Sequence, residues 1–214
     1  MTESNYEKTK HTCAKMFCQS DHTALIRRFN LTEDDAFIYL QFFQQPFRLS
    51  KKTGEIERLL RAPSNNWANA QFNEAMTIYD LLEYAQPACH AGKGMINIKS
   101  LHTKIATAAP SSNDFFHITC KHLEQHASVL QQAFESLGGT PLGKADASAQ
   151  FTVIDDLNMQ IHFYLADEDF PASLQLYWDE NVLQYMHYET IWYASGFILE
   201  EVEAQCETQT QLHA

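Results

Sequence analysis

The sequence predicts an α+β fold, in which an antiparallel sheet built from hairpins is packed by three to four helices, mainly on one face. Two observations lead to this prediction. Short segments alternate apolar and polar residues between turn residues, which is typical of half-buried antiparallel strands. Other segments carry apolar residues at spacings of three and four, which is typical of amphipathic helices.

Length and charge limit the classes of protein that this chain can be. Its 214 residues are 45% hydrophobic, which is enough for one substantial core. The net charge of -12 repels phosphate backbones and anionic lipids, so neither nucleic acid nor membrane is expected as a partner. The apolar runs are short for a membrane span, the first residues lack the apolar core of a secretion signal, and the five scattered cysteines do not suggest a disulfide framework. These features predict a cytoplasmic protein.

Residues 1–29 are predicted to form an N-terminal helical extension. Histidines and cysteines recur here at short spacings, and both are ligand types that zinc prefers, with Cys18 and His22 as the main candidates. A single straight helix would place only two or three of these side chains on one side. The alternative is therefore a polar helix whose cysteines behave as small, half-buried hydrophobic residues.

Residues 30–206 are predicted to form a single α+β domain. In its first part, residues 36–49 and 55–60 predict a hairpin that turns at Gly54. Residues 69–86 then predict an amphipathic helix that ends before Pro87.

Two glycine-containing stretches resemble phosphate-binding loops only in part. Gly92-Lys93-Gly94 lacks the remainder of such a motif. Residues 138–144 fit the spacing GxxxxGK, but a helix is predicted before them, and Ala145 stands where the motif requires Ser or Thr. The sequence therefore does not predict a nucleotide phosphate loop.

A long helix is predicted to start at Ser111–Asp114 and to end at Gly138, because apolar residues continue at steps of four and three from Phe116 to Leu137. His122 and His126 are one turn apart on it, which is the spacing of a two-histidine metal site. The alternative is that both are ordinary surface histidines, since they flank the apolar stripe.

The clearest element is a second hairpin. Apolar residues alternate with polar ones in residues 159–165 and again in 172–178, and the acidic link 166–171 ends in proline. The polar face of this hairpin gives the candidate ligand-binding residues, which are His162, Tyr164, Gln175 and Tyr177. The alternative is that this face is only the solvated side of an antiparallel sheet.

The link of this hairpin supplies candidate metal ligands. Asp167, Glu168 and Asp169 are oxygen donors of the kind that magnesium and calcium prefer, and Asp155, Asp156 or Asp179 could add to them. Crowded carboxylates can also raise the pKa of one carboxyl group into the range of a general acid. No cofactor is otherwise evident, so a divalent metal ion is the cofactor that the sequence allows.

The chain is predicted to end in an amphipathic helix and a polar tail. Tyr188, Ile191, Ser195, Ile198 and Val202 define one face of the helix, and residues 207–214 are predicted to be disordered.

Several segments together resemble an uncharacterised bacterial family, domain of unknown function 3786. The acidic loop Asp167–Pro171 followed by Leu176–Asp179 and Tyr185–Glu189 is the specific part, and the similarity extends over about residues 30–202. Tyr164 stands where the family usually has tryptophan, and Asp169 where it has glutamate. Some members carry an iron–sulfur type of cysteine region, but no CxxC pair occurs here, so the resemblance implies a fold and no activity.

Two functional hypotheses follow. The first is a non-catalytic accessory domain that binds a small molecule or a protein partner, including a second copy of itself, because no complete nucleophile, phosphate-loop or metal motif is present. The second is a metal-dependent or acid–base enzyme that uses the acidic hairpin loop. The sequence does not decide between an enzyme and a binding protein.

Overall fold

The computed structural model describes residues 4–104 and 116–213 of the chain. This part contains six α-helices and two five-stranded antiparallel sheets, which confirms the predicted α+β class. It has two sheets where the sequence predicts one, and six helices where it predicts three or four. The predicted helix start at Ser111–Asp114 lies outside the described residues.

The chain forms two compact units, and each is assembled from three separate segments. The first unit consists of residues 1–90, 153–155 and 183–194, and the second consists of residues 91–152, 156–182 and 195–214. Both units include parts of residues 30–206, for which the sequence predicts a single domain.

The six helices are α1 (Asn5–Phe17), α2 (His22–Arg28), α3 (Phe72–Tyr84), α4 (His117–Gln125), α5 (Ala127–Ser136) and α6 (Tyr188–His213). The predicted N-terminal helix is divided into α1 and α2 because Asp21 caps α2, and its side chain accepts hydrogen bonds from the backbone N–H groups of Thr23 and Ala24.

Helix α1 packs closely in the first unit, since a Cβ atom on Gly54 would lie 2.1 Å from the carbonyl oxygen of Ala14. Gly54 also has a φ of +73°, so both its conformation and its contact require glycine.

The first sheet contains β1 (Thr32–Glu33), β2 (Phe37–Phe42), β3 (Gln45–Ser50), β4 (Ile56–Leu59) and β5 (Trp67–Asn69), adjacent in chain order. The predicted strand over residues 36–49 is therefore two strands. They are joined at Phe43 and Gln44, whose φ angles are 49° and 57°. Neither is a residue type that marks a hairpin turn of this kind. The turn is held instead by burial of the Phe43 ring against Phe42, and by the Phe43 N–H, which donates to the Val153 carbonyl at 2.9 Å.

The second sheet contains β6 (Met95–Asn97), β7 (Thr140–Pro141), β8 (Ala147–Ile154), β9 (Leu157–Tyr164) and β10 (Ser173–Asp179), in the spatial order β6-β10-β9-β8-β7. The predicted hairpin is β9 and β10, in which Ile161 lies opposite Leu176. Its apolar face is buried, and Trp178 on that face donates from Nε1 to Ser195 Oγ of α6 at 3.1 Å. Strand β8 is not predicted by the sequence analysis.

Two helical regions differ from the prediction. The long helix before Gly138 is interrupted at His126, whose backbone leaves the α conformation at φ -110° and ψ 17° and separates α4 from α5. At the other end of the chain, α6 continues to His213 where a disordered tail is predicted from residue 207. The predicted tail is ordered there because Cys206 and Gln209 are buried, and Gln209 Nε2 donates to Ser136 Oγ at 3.3 Å.

None of the helices in the described part of the chain is long and apolar enough to cross a membrane.

Candidate functional site

The polar face of the β9–β10 hairpin carries a connected set of side chains. Gln175 lies opposite His162, and Tyr177 lies opposite Gln160. The Tyr177 hydroxyl donates to Gln175 Oε1 at 2.6 Å, and the ring of Tyr177 lies 4.8 Å from the ring of His162. Three of the four predicted ligand-binding residues, His162, Gln175 and Tyr177, are therefore neighbours on one surface.

Glutamine side chains on the neighbouring strands continue this network. His162 Nε2 lies 3.2 Å from Gln160 Oε1, and Gln160 Nε2 donates to Gln150 Oε1 at 3.0 Å. His162 is only 6% exposed, so this position is not a freely solvated one. Burial lowers the pKa of His162 from its usual value, and the positive charge of Lys144 lowers it further. The imidazole is therefore kept neutral and serves as a hydrogen-bonding group.

A groove of about 680 Å³ lies in the second unit, at the end of the hairpin next to this network. Tyr164, Ser173 and Gln175 contribute one side of it, and the loop between β9 and β10 contributes Asp167 and Phe170. Two of the four predicted ligand-binding residues, Tyr164 and Gln175, thus line one groove together with one predicted metal ligand, Asp167.

The acidic loop has a defined conformation that depends on Asp167. Its Oδ1 atom accepts the backbone N–H groups of Asp169 at 2.9 Å and of Phe170 at 2.7 Å, and its own N–H donates to the Phe170 carbonyl at 2.9 Å. Glu168 and Asp169 are exposed. Asp167 therefore shapes the loop, and the loop holds Phe170 in the groove's rim with 70% of its surface exposed.

The other side of the groove comes from residues that the sequence analysis does not select. The start of α4 supplies Phe116, His117 and Cys120, and Lys99 and Asp146 add charges of opposite sign. Asp146 Oδ2 accepts the backbone N–H of Leu165 at 2.9 Å, so this carboxylate also fixes one end of the acidic loop. Nothing in the local sequence around these residues indicates a shared site, because long-range folding brings them together.

Cys120 lies at the base of this side and is 7% exposed. Burial raises the pKa of its thiol, and the nearby Glu124 raises it further. The thiol is therefore held in its protonated form, which is poorly nucleophilic. Cys120 contributes apolar surface to the groove.

The remaining predicted metal ligands lie outside this groove. His22 Nε2 lies 2.9 Å from the Phe17 carbonyl oxygen, and Cys18 is the residue that ends α1. His122 lies between two carboxylates of α6, those of Glu203 and Glu207, each at 3.6 Å.

His126 Nδ1 is paired with the Thr210 hydroxyl at 2.9 Å. Within residues 4–104 and 116–213, no group of three histidine, cysteine or acidic side chains is arranged to hold a metal ion.

The glycine loop at residues 91–94 is occupied by the protein's own carboxylates. Gly92 N–H donates to both oxygens of Asp179 at 2.9 and 3.1 Å, and the N–H groups of Lys93 and Gly94 both donate to Glu180 Oε1 at 3.0 Å. Asp156 accepts the N–H of Ala91 at 3.0 Å in the same way. These donors anchor the loop to the end of β10, and the three carboxylates serve there as backbone acceptors.

Residues 21–201 match the family model described as Domain of unknown function (DUF3786). No curated protein and no solved structure matches the chain.

Proposed function

We propose a ligand-binding function for this chain, which belongs to the DUF3786 family of domains of unknown function. The observation that supports it is the groove of about 680 Å³ at the end of the β9–β10 hairpin. Its volume falls within the roughly 300–1,000 Å³ of small-molecule sites. We propose that the site binds its ligand without transforming it.

The side chains that line the groove indicate the chemistry of the ligand. Phe116, Leu165 and Phe170 offer apolar contact. Asp146 and Asp167 carry negative charge, and Lys99 carries positive charge. We therefore propose a small molecule that combines an apolar group with charges of both signs, of which a free amino acid with an apolar side chain is the simplest example.

Calorimetric titration with L-phenylalanine as the probe tests this proposal. The variant Asp146→Asn keeps the shape of the side chain and removes its charge, so we expect affinity to fall about tenfold, as for the loss of one hydrogen bond to a charged group. The matched control is Glu168→Gln, which removes a carboxylate from the exposed part of the same loop. Absence of binding, or an equal loss in both variants, would count against the proposal.

A second variant tests the apolar part of the site. Phe170 is 70% exposed, so Phe170→Ala removes little buried surface and should leave the midpoint of thermal unfolding unchanged. We expect the same variant to weaken binding of L-phenylalanine, because the ring belongs to the groove. If Phe170→Ala bound L-phenylalanine with unaltered affinity, the ligand would bind outside this groove.

An enzyme that uses the acidic loop is the alternative proposal, and it has less support. Oδ1 of Asp167 already accepts two backbone N–H groups, and Glu168 and Asp169 are exposed at the tip of the loop. Thermal unfolding in the presence of magnesium or calcium tests the metal version, since a bound ion raises the midpoint of unfolding. We also propose a cytoplasmic location, because the net charge of -12 disfavours binding to anionic membrane surfaces. Binding to another protein, or to a second copy of this chain, is a further proposal.

A further inference from the structure

The first unit contains a separate groove of about 320 Å³ between helices. Helix α1 contributes Cys13 and Met16, and α3 contributes Met76 and Tyr84. Met16 and Tyr84 are 55% and 38% exposed. The groove is therefore lined in part by thioether and aromatic groups, which adapt to apolar ligands of varied shape.

The polar part of the groove is a carboxylate–histidine pair. Asp80 Oδ1 lies 2.6 Å from Nδ1 of His187, and Asp80 Oδ2 accepts the backbone N–H of the same residue at 2.8 Å. A carboxylate can only accept, so Nδ1 carries the proton. In the neutral ring Nε2 is then a hydrogen-bond acceptor, and it makes no hydrogen bond to any residue in the described part of the chain.

The electrostatics of the groove favour positive charge. Its acidic lining consists of Asp80 and Glu83, and the described lining includes neither lysine nor arginine. Burial raises the pKa of the Cys13 thiol, and the negative charges of Asp80 and Glu83 raise it further. The ring of Tyr84, which lies 3.7 Å from the ring of His187, adds an aromatic group to the rim.

We propose that this groove binds a small organic cation, in which a protonated amine is attached to an apolar body. The amine donates hydrogen bonds to His187 Nε2 and to the carboxylate of Glu83, and the apolar body contacts the two methionines. Aromatic and carboxylate groups around an apolar floor are the combination that recognises organic ammonium groups. The volume of about 320 Å³ suits a ligand of this small size.

The methionines of the groove provide a local readout. In protein labelled with ¹³C at the methionine methyl groups, Met16 and Met76 report on this groove, whereas Met95 and Met159 lie in the second unit and serve as internal references. The probe is phenethylamine, and the matched neutral probe is 2-phenylethanol. We expect phenethylamine to shift the Met16 and Met76 signals saturably, with an affinity at least about tenfold higher than that of the alcohol.

Variants separate charge recognition from general attraction. Glu83→Gln should weaken phenethylamine binding about tenfold and leave binding of the alcohol unchanged. Glu189→Gln removes an exposed carboxylate of the same unit that does not line the groove, and it should have no effect. His187→Gln retains the backbone hydrogen bond to Asp80, and it should also weaken the binding of phenethylamine.

Three results would overturn the proposal. They are the absence of a saturable shift at Met16 and Met76, equal affinity for the amine and the alcohol, and an equal loss of affinity in Glu83→Gln and Glu189→Gln. In each case the Met16 and Met76 signals of the ligand-free variant must match those of the wild type, which establishes that the first unit is folded, and unchanged Met95 and Met159 signals establish the same for the second unit.

Discussion

Asp80 holds His187 through two hydrogen bonds, one from the backbone N–H at 2.8 Å and one from the ring at 2.6 Å. His187 immediately precedes α6, and its carbonyl accepts the N–H groups of Thr190 and Ile191. A side chain of α3 therefore fixes the residue from which the last helix begins.

We expect the backbone hydrogen bond to matter more for stability than the ring. Asp80→Ala removes both bonds and should lower the free energy of unfolding by about 1–3 kcal/mol, whereas His187→Gln keeps the backbone bond and should cost about 1 kcal/mol or less. Urea denaturation followed by circular dichroism measures both values. A larger loss in His187→Gln than in Asp80→Ala would show that the imidazole is the main contact.

His162 should make the protein sensitive to acid. Its pKa in the folded state is lowered from 6.5 because it is buried and lies near Lys144. Below pH 6.5 the unfolded chain therefore binds a proton that the folded chain does not bind. The stabilisation from neutral His162 is therefore fully present above that pH. It falls as the pH decreases toward the folded pKa, by at most about 1.4 kcal/mol per pH unit for this group.

The variant His162→Gln tests this expectation. It should show a flatter stability profile below pH 6.5 in urea denaturation. His90 is exposed, and His90→Gln should keep the slope of the wild-type profile. Identical slopes in His162→Gln and the wild type would contradict the assignment.

Cys206 should make the protein sensitive to alkali. Burial first, and then the charges of Glu203 and Glu207, raise the pKa of its thiol from 9.0 to about 12. Between these values the unfolded chain loses a proton that the folded chain keeps, so the free energy of unfolding falls as the pH rises above 9. The expected slope is about 1.4 kcal/mol per pH unit for one thiol.

Comparison of two cysteine variants isolates this effect. Cys206→Ala should reduce the alkaline slope, and Cys18→Ala, at the end of α1, should retain it. The two variants are compared by urea denaturation from pH 8 upward. Equal slopes would show that the Cys206 thiol does not carry the effect.

The glycine loop should depend on the side chain of Glu180. A Cβ atom on Gly92 would lie 2.4 Å from Glu180 Cγ, so Gly92→Ala must displace this side chain from the N–H groups of Lys93 and Gly94. We expect a loss of about 1–3 kcal/mol in the free energy of unfolding. In a Glu180→Ala background the same substitution should cost less, because the two changes remove one shared contact. Additive losses in a double-mutant cycle would contradict this explanation.

Local pattern was sufficient to predict the hairpin of β9 and β10. Alternation of apolar and polar residues identifies both strands, and its faces agree with the register that places Ile161 opposite Leu176. The buried stripe of α6 is likewise visible at Ile191, Ser195 and Ile198. Both patterns arise because one face of the segment is buried, and the residues that form this face can be identified from the segment's own sequence.

Features fixed by distant contacts could not be predicted in this way. The turn at Phe43 and Gln44 has no glycine or asparagine, and it depends on a hydrogen bond to Val153. Asp146 lies in the proposed binding groove, where its carboxylate accepts a hydrogen bond from the N–H of Leu165, 19 residues further along the chain. The alternating pattern predicts that Tyr164 and Gln175 lie on the polar side of the hairpin, but no local pattern indicates that α4 supplies the opposite side of the groove.

The interleaving of the two units limits the order in which the protein can fold during synthesis. The first unit includes residues 183–194, which leave the ribosome only after all of the described β-strands of the second sheet. Domains usually fold as units from the N-terminus during translation. Residues 1–90 therefore complete their contacts with residues 183–194 only late in translation, after the strands of the second unit have been synthesised.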